Sequence, residues 1–249
     1  MKRVVLITGA AGGIGSATAA IFAEADWQVI GVDQRKPAEL PEFVDFIQAD
    51  ISQPETPTRI MAEISAKDER LDALVNNAAI QICKPLLETS LDDWDLTMDI
   101  NVRAVLLLTQ AFYPLLKDSG GAIVNVSSVH AIATSMGMLA YAASKGALLA
   151  MTRAMAMELA GDRIRVNAVL PGAVDTEMLR NGLRRGQAAE RDIEELLHEL
   201  ERKHITGRVG LPKEIARAIF FLADNEQSSF MTGQNLVVDG GATARLSTE

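Results

Sequence analysis

The chain has 249 residues, 48% of them hydrophobic and 4% aromatic, with 18 Gly, 8 Pro and one Cys. That apolar content excludes wholesale disorder, and a lone cysteine excludes an intramolecular disulfide and a cysteine-rich zinc site while fitting a reducing compartment. With 24 Lys+Arg against 33 Asp+Glu the net charge is -9, which argues against general binding to nucleic acid or to an anionic membrane surface.

Short β-branched runs alternate with longer Ala- and Leu-rich stretches. Val4 to Ile7 is nearly all apolar, the pattern of a strand buried on both faces. Glycines at 9, 12, 13 and 15 interrupt it too early for a signal peptide. A helix is expected over Ile14 to Ala25, then strands over Gln28 to Asp33 and Val44 to Gln48, a helix over Thr58 to Lys67, and a strand over Ala73 to Asn76. A long helix is expected from about Asn101 to Lys117, closed by Gly120-Gly121, and a strand over Ala122 to Ser127. Next come a helix from Tyr141 to Ala160 with its stop at Gly161, a strand from Arg165 to Leu170 ended by Pro171-Gly172, a helix from Pro212 to Ala223, and a strand from Asn235 to Val238. This alternation predicts one α/β domain over 1-249, a Rossmann-type doubly wound parallel sheet flanked by helices. Residues 175 to 203 are crowded with charge. They read as a solvated helical excursion or, following a strand end, as a substrate lid at about 173-210. No apolar stretch reaches the roughly 20 residues of a membrane span, and the histidines at 130, 198 and 204 are too scattered for a metal site.

Three features carry chemistry. Thr8 to Gly15 forms a glycine-rich turn between the first strand and the first helix. There the backbone can approach a pyrophosphate and a helix N-terminus offers free N–H groups; a purely structural tight turn uses the same glycines. Asp33 ends the second strand 18 residues after Gly15, near the spacing expected for a carboxylate on an adenosine ribose, or it is a loop-starting aspartate. Its charge would repel a 2′-phosphate, so NAD is expected over NADP, although Arg35 two residues on could favour a phosphate. Tyr141 and Lys145 are four residues apart on one helix face. A tyrosine normally titrates near about 10, and an adjacent ammonium would lower that value and make the phenol a proton carrier. Ser127-Ser128 closes the preceding strand, where a hydroxyl could hold a substrate oxygen.

With these motifs in order, the chain resembles the short-chain dehydrogenase/reductase family over essentially its whole length. The family's Thr-Gly-x-x-x-Gly-x-Gly turn is matched by Thr8 to Gly15. Its Asn-Asn-Ala-Gly is matched by Asn76-Asn77-Ala78, with Ala79 in place of the glycine. Its serine 13 residues before Tyr-x-x-x-Lys is matched by Ser128, Tyr141 and Lys145. Its catalytic asparagine is matched by Asn101, its Pro-Gly and nicotinamide-contacting Thr by Pro171, Gly172 and Thr176, and its adenine-contacting pair by Asp50-Ile51. The resemblance implies a catalytic set of Asn101, Ser128, Tyr141 and Lys145. It implies a cofactor set of Thr8, Gly9, Gly13, Ile14, Gly15, Asp33, Asp50, Ile51, Asn77, Ala78, Tyr141, Lys145, Pro171, Gly172, Val174 and Thr176. Ser128 would polarise the substrate oxygen and Tyr141 would transfer the proton. Lys145 would bind the nicotinamide ribose and depress the Tyr141 pKa, and Asn101 would hold a relay water.

Substrate contacts are expected from Gln81, Ser128, His130, Met138 and Tyr141. Gln81 and His130 look like the positions that grip a carboxylate in the family's 3-hydroxybutyrate dehydrogenases, but the lysine those enzymes carry three residues before the tyrosine is Met138 here. His130 could equally be an ordinary loop residue, and a sugar or polyol is as open as a hydroxy acid. Met136, Met138 and Met178 could line an apolar pocket or fill core, and Cys83 reads as a packed loop residue. The expected activity is NAD-dependent hydride transfer to or from a small polar secondary alcohol or ketone. The alternatives are an NADPH-dependent 3-oxoacyl reductase, which usually has basic residues where Ala10, Ala11 and Gly12 stand, and a non-catalytic nucleotide sensor. A cytoplasmic homotetramer is expected, with interfaces on the long helices near Asn101 and Tyr141 and on the last helix and strand.

Overall fold

The computed structural model describes residues 2–36, 44–65, 70–184 and 191–244. Seven strands form one parallel sheet: β1 (Val4–Thr8), β2 (Gln28–Asp33), β3 (Val44–Gln48), β4 (Ala73–Asn76), β5 (Ala122–Val126), β6 (Arg165–Pro171) and β7 (Asn235–Val238). Their spatial order is β3-β2-β1-β4-β5-β6-β7. The chain winds outward from β1 to β3, returns to β4 beside β1, and winds out the other way, which makes the doubly wound sheet expected from the alternation.

Successive side chains of a strand point to opposite faces, and β1 shows why an unbroken apolar run is needed. Val4 and Leu6 pack with Ile60 and Ile64 of α2 (Thr56–Ser65) and with Leu108, Phe112 and Leu116 of α4 (Ala104–Ser119). Val5 and Ile7 pack on the other face with Phe22 of α1 (Gly13–Glu24) and with Ile215, Ile219 and Leu222 of α8 (Pro212–Ala223). Both faces are therefore dry, and the strand ends are what remains for function.

The elements mostly fall within a residue or two of the expected bounds. Expected residues 66 and 67 of the second helix, residues 185–190 of the charged segment, and the chain ends at residue 1 and 245–249 lie outside the described residues. Four helices had no expected bounds, the last of them the short α9 (Asn225–Ser228). A capping box between Ser90 and Asp93 starts α3 (Leu91–Met98). The charged segment carries α6 (Glu177–Leu183) and α7 (Ile193–Glu201), the latter capped by Asp192 and burying Leu196 and Leu197. The helix expected to begin at Asn101 instead continues from α3 through a π-helical turn, Asp99–Arg103, into α4. The helix carrying Tyr141 is α5 (Leu139–Leu159). Among the described residues no helix is long and apolar enough to cross a membrane, and no cluster of three or more His, Cys, Asp or Glu could hold a metal ion.

Candidate active site

A cleft of about 1150 Å³ opens at the carboxyl ends of the strands, straddling β1 and β4, where the winding reverses and such sheets bind ligands. Its first wall is the glycine-rich turn. Gly9 has φ +66, and a Cβ there would lie 2.8 Å from the Cα of Ala78; a Cβ on Gly15 would lie 2.0 Å from the carbonyl oxygen of Gly9. These two glycines thus make the turn tight, whether or not a ligand is present. Asn77 stitches the turn to β4, its amide donating to the Thr8 carbonyl at 2.9 Å and the Gly9 carbonyl at 3.1 Å. The Thr8 hydroxyl accepts the backbone N–H groups of Asn77 and Ala78, each at 3.0 Å. Thr8 itself does not line the cleft; its work is structural. Helix α1 is preceded by Gly12, which offers no side-chain cap, so its first N–H groups face the cleft mouth without a protein carboxylate or hydroxyl, as an anionic phosphate would require.

Asp33 lies beside the turn. One carboxylate oxygen accepts the Ala11 N–H at 3.0 Å and the other accepts the Arg35 N–H at 3.0 Å. Each oxygen keeps a further lone pair, so the group can still accept from a diol. Asp50 accepts from the Ser52 N–H at 2.9 Å and from the Gln53 amide at 3.3 Å; it lines the cleft with Ile51.

The second wall comes from the ends of β5 and β6. Ser128, Tyr141 and Lys145 line the cleft together, and the Ser128 side chain acts on the Tyr141 phenol to favour its ionised form. The His130 ring meets the Tyr141 ring edge-on, with centroids 5.7 Å apart, and bonds Thr134 at 2.9 Å. The Lys145 ammonium donates to the Val126 carbonyl at 2.7 Å and sits 5.6 Å from the Tyr141 ring. Here the sequence expectation needs correcting. Burial pushes the Tyr141 phenol up to about 12, the Ser128 hydroxyl opposing it, rather than the lysine holding it down. The reason is that the same enclosure disfavours the charged amine, and burial lowers Lys145 to about 7. Near neutrality only part of a positive charge is left to act on the phenol.

Two further expectations change. Asn101 is buried behind the cleft, not on it. Its amide oxygen accepts the Ile80 N–H at 2.9 Å, and its nitrogen donates to the Ile80 carbonyl and the Ser144 hydroxyl, each at 3.0 Å. Both N–H donors are engaged, so the side chain braces the loop after β4 against α5 and has no N–H left for a water. Met138, expected to touch substrate, is 1% exposed and lies under Gln81 and Cys83; a thioether at the start of α5 gains nothing from facing water. Met136 is 94% exposed, while Met178 and Cys83 do line the cleft.

Gln81, His130, Pro171, Gly172, Val174 and Thr176 line the cleft. Residues 181, 184, 203, 204 and 243 also line it and were not singled out. Their signal was positional: Asn181, Arg184 and Lys203 belong to the charged segment after β6, His204 comes directly after it, and Thr243 follows β7. His204 is 5% exposed, with Nδ1 bonded to the Leu200 carbonyl at 2.9 Å and Nε2 without a partner among the described residues.

A buried hydroxyl pair, a buried amine of neutral pKa, a tight glycine turn and the Asp33 carboxylate share one cleft, and such a set can support proton transfer beside a bound nucleotide. A family model described as enoyl-(acyl carrier protein) reductase matches residues 9–243. A 3-oxoacyl-[acyl-carrier-protein] reductase of Thermotoga maritima is 39% identical, with 96% of this chain and 97% of that protein aligned. The meso-2,3-butanediol dehydrogenase of Serratia marcescens is 36% identical, with 98% and 95% aligned. The ligand-free aldohexose dehydrogenase of Thermoplasma acidophilum superposes with a TM-score of 0.93 at 32% identity, covering 99% of this chain and 96% of that one. With the sheet order and the motifs, these similarities place the chain in the short-chain dehydrogenase/reductase family, whose members are oxidoreductases that use NAD(P).

Proposed function

We propose that this oxidoreductase moves a hydride between NAD and a small polar secondary alcohol or its ketone. The observation that carries the reading is the convergence of Ser128, Tyr141 and Lys145 at the end of β5, in one cleft with the glycine turn and Asp33. The residues fit the cofactor. The uncapped start of α1 suits a pyrophosphate, and Asp33 suits an unphosphorylated ribose because its charge repels a 2′-phosphate. When bound, the nicotinamide supplies the hydride acceptor or donor.

The chain's own residues handle the oxygen and its proton. Ser128 holds and polarises the substrate oxygen. Tyr141, a neutral phenol at pH 7, gives its proton to that oxygen in the reducing direction and is reprotonated through Lys145; in the oxidising direction it passes its proton to the neutral amine of Lys145 as it takes the one from the alcohol. Lys145, titrating near neutrality, is the next proton carrier and a partner for the nicotinamide ribose. Asn101 is a positioning residue; a relay water beside it would bond to the main chain, since its amide donors are engaged. Gln81 and His130 supply polar contacts for hydroxyl or carboxyl groups of the substrate, and α6 and α7 act as a lid over it. A second reading, an NADPH-dependent 3-oxoacyl reductase, is favoured by the similarity to the Thermotoga reductase.

Absorbance assays of NAD and NADP reduction against hydroxy acids, sugars and polyols, with a 3-oxoacyl thioester in reverse, separate the two. Strong NADP preference overturns the Asp33 argument. Tyr141→Phe should lower kcat/KM about a thousandfold; undiminished turnover overturns the proton-transfer role. The protein is further proposed to be a cytoplasmic homotetramer. Leu106 on α4 and Met157 on α5 are 42% and 82% exposed, and Phe230 and Val237 near β7 are 103% and 40% exposed, as surfaces meant for a second copy would be. Sedimentation as a monomer at micromolar concentration would overturn that assembly.

A further inference from the structure

Arg35 and Glu177 stand 142 residues apart in sequence and both line the cleft. Arg35 follows β2, and its backbone N–H is held by Asp33 at 3.0 Å. Its side chain leaves the adenosine end and reaches the first turn of α6, where its Nη1 meets the Glu177 carboxylate at 3.3 Å. The contact has one donor and one acceptor, and the two side chains are 61% and 70% exposed. Such a pair is weak and exchangeable. A phosphate dianion offers the same guanidinium a paired, charge-assisted contact, which is stronger.

We propose that Glu177 on the lid competes with a 2′-phosphate for Arg35, so that a lid residue helps set the choice between NAD and NADP. With an unphosphorylated ribose, Arg35 stays on Glu177 and ties α6 across the cleft. With a 2′-phosphate, Arg35 turns to the phosphate and that tie is released. Asp33 opposes the phosphate by its charge, so the outcome is a balance of two carboxylates against one guanidinium. The proposal rests on reading Asp33 and the glycine turn as the adenosine end of the cofactor site.

The test is equilibrium binding by calorimetry, at pH 7.5 and low salt. It compares adenosine 2′,5′-bisphosphate with adenosine 5′-monophosphate, which differ only in the 2′-phosphate, with NADH binding measured alongside. The readout is the ratio of the two affinities. Glu177→Gln should raise the ratio in favour of the bisphosphate about threefold, the scale of an exposed ion pair. Arg35→Ala should lower it about tenfold, the scale of a charge-assisted hydrogen bond, and in that background Glu177→Gln should add nothing. An unchanged ratio in Glu177→Gln, or an effect of Glu177→Gln that persists without Arg35, overturns the latch while NADH binding leaves the cofactor reading intact. Failure of NADH and both nucleotides to bind the unaltered protein overturns the cofactor reading and the latch with it.

Discussion

Lys145 is a buried amine with one hydrogen bond, to the Val126 carbonyl, and 2% exposure. Burial lowers its pKa from 10.5 to about 7. Between those limits the unfolded chain holds a proton that the folded chain refuses, so stability must rise with pH across that window. The slope is at most about 1.4 kcal/mol per unit, which gives a ceiling of about 5 kcal/mol. Below pH 7 the full penalty applies, and above 10.5 it vanishes. Tyr141 acts in the opposite sense at higher pH: with its pKa raised to about 12, it makes the fold lose stability between about 10 and 12. Lys145→Met removes the amine and keeps an unbranched side chain. It also leaves the Val126 carbonyl without this donor, a pH-independent cost of about 1 kcal/mol. Urea unfolding of both proteins at equal concentration, in steps from pH 6.5 to 9.5, isolates the effect, because every other titration cancels in the difference. The variant should be the more stable protein at pH 6.5 and should lose about 3 kcal/mol relative to the parent by pH 9.5. A difference that stays within about 0.5 kcal/mol over the range would mean the folded amine keeps its proton, and the argument for a neutral-pH proton carrier would fail.

Arg165, 7% exposed, gives its guanidinium to the carbonyls of Leu222, Ala223 and Met231 and to the side chains of Asn225 and Ser228, at 2.7 to 3.2 Å. Arg165→Met strips these acceptors at the end of α8 and should lower unfolding free energy by about 3 kcal/mol in urea titrations; a loss under about 1 kcal/mol would show the carbonyls find other donors. Gly15→Ala puts a Cβ 2.0 Å from the Gly9 carbonyl and should destabilise by roughly 3 kcal/mol with loss of NADH binding in calorimetry. Gly146→Ala, in α5 with nothing within 4 Å of its new Cβ, should instead stabilise the fold by about 1 kcal/mol, read as a higher thermal midpoint.

The strands were legible because a parallel strand buried on both faces is apolar nearly throughout, as Val4 to Ile7 is; Ala122 to Val126 departs only at Asn125, whose amide is paired with Asn76 and Thr152. The helix boundary at Asn101 was not legible. A π-helical turn depends on which backbone groups find partners in three dimensions, and the bonds from Asn101 to Ile80 and Ser144 cross 21 and 43 residues. Apolar periodicity sees neither. The Tyr141–Lys145 spacing predicted shared placement, which holds, but their protonation depends on how completely the cleft encloses them, a quantity no short motif contains.

The two halves of the site therefore differ in how sequence encodes them. Around the turn the groups facing a ligand are mostly main-chain N–H groups, and glycines record where the backbone bends and where no Cβ fits. That code is local, so Gly9 and Gly15 could be read from spacing alone. The half proposed to take the substrate is built from side chains that meet only after folding: Gln81 after β4, His130 after β5, Arg184 and His204 beyond β6, Thr243 after β7. No spacing links them, and Met138 shows the consequence, since it stands three residues before Tyr141 in sequence yet lies buried beneath Gln81 and Cys83. A substitution in the turn should accordingly affect every nucleotide this chain binds, whereas a substitution among the substrate-facing side chains should change which alcohol is accepted and leave the nucleotide half as it is.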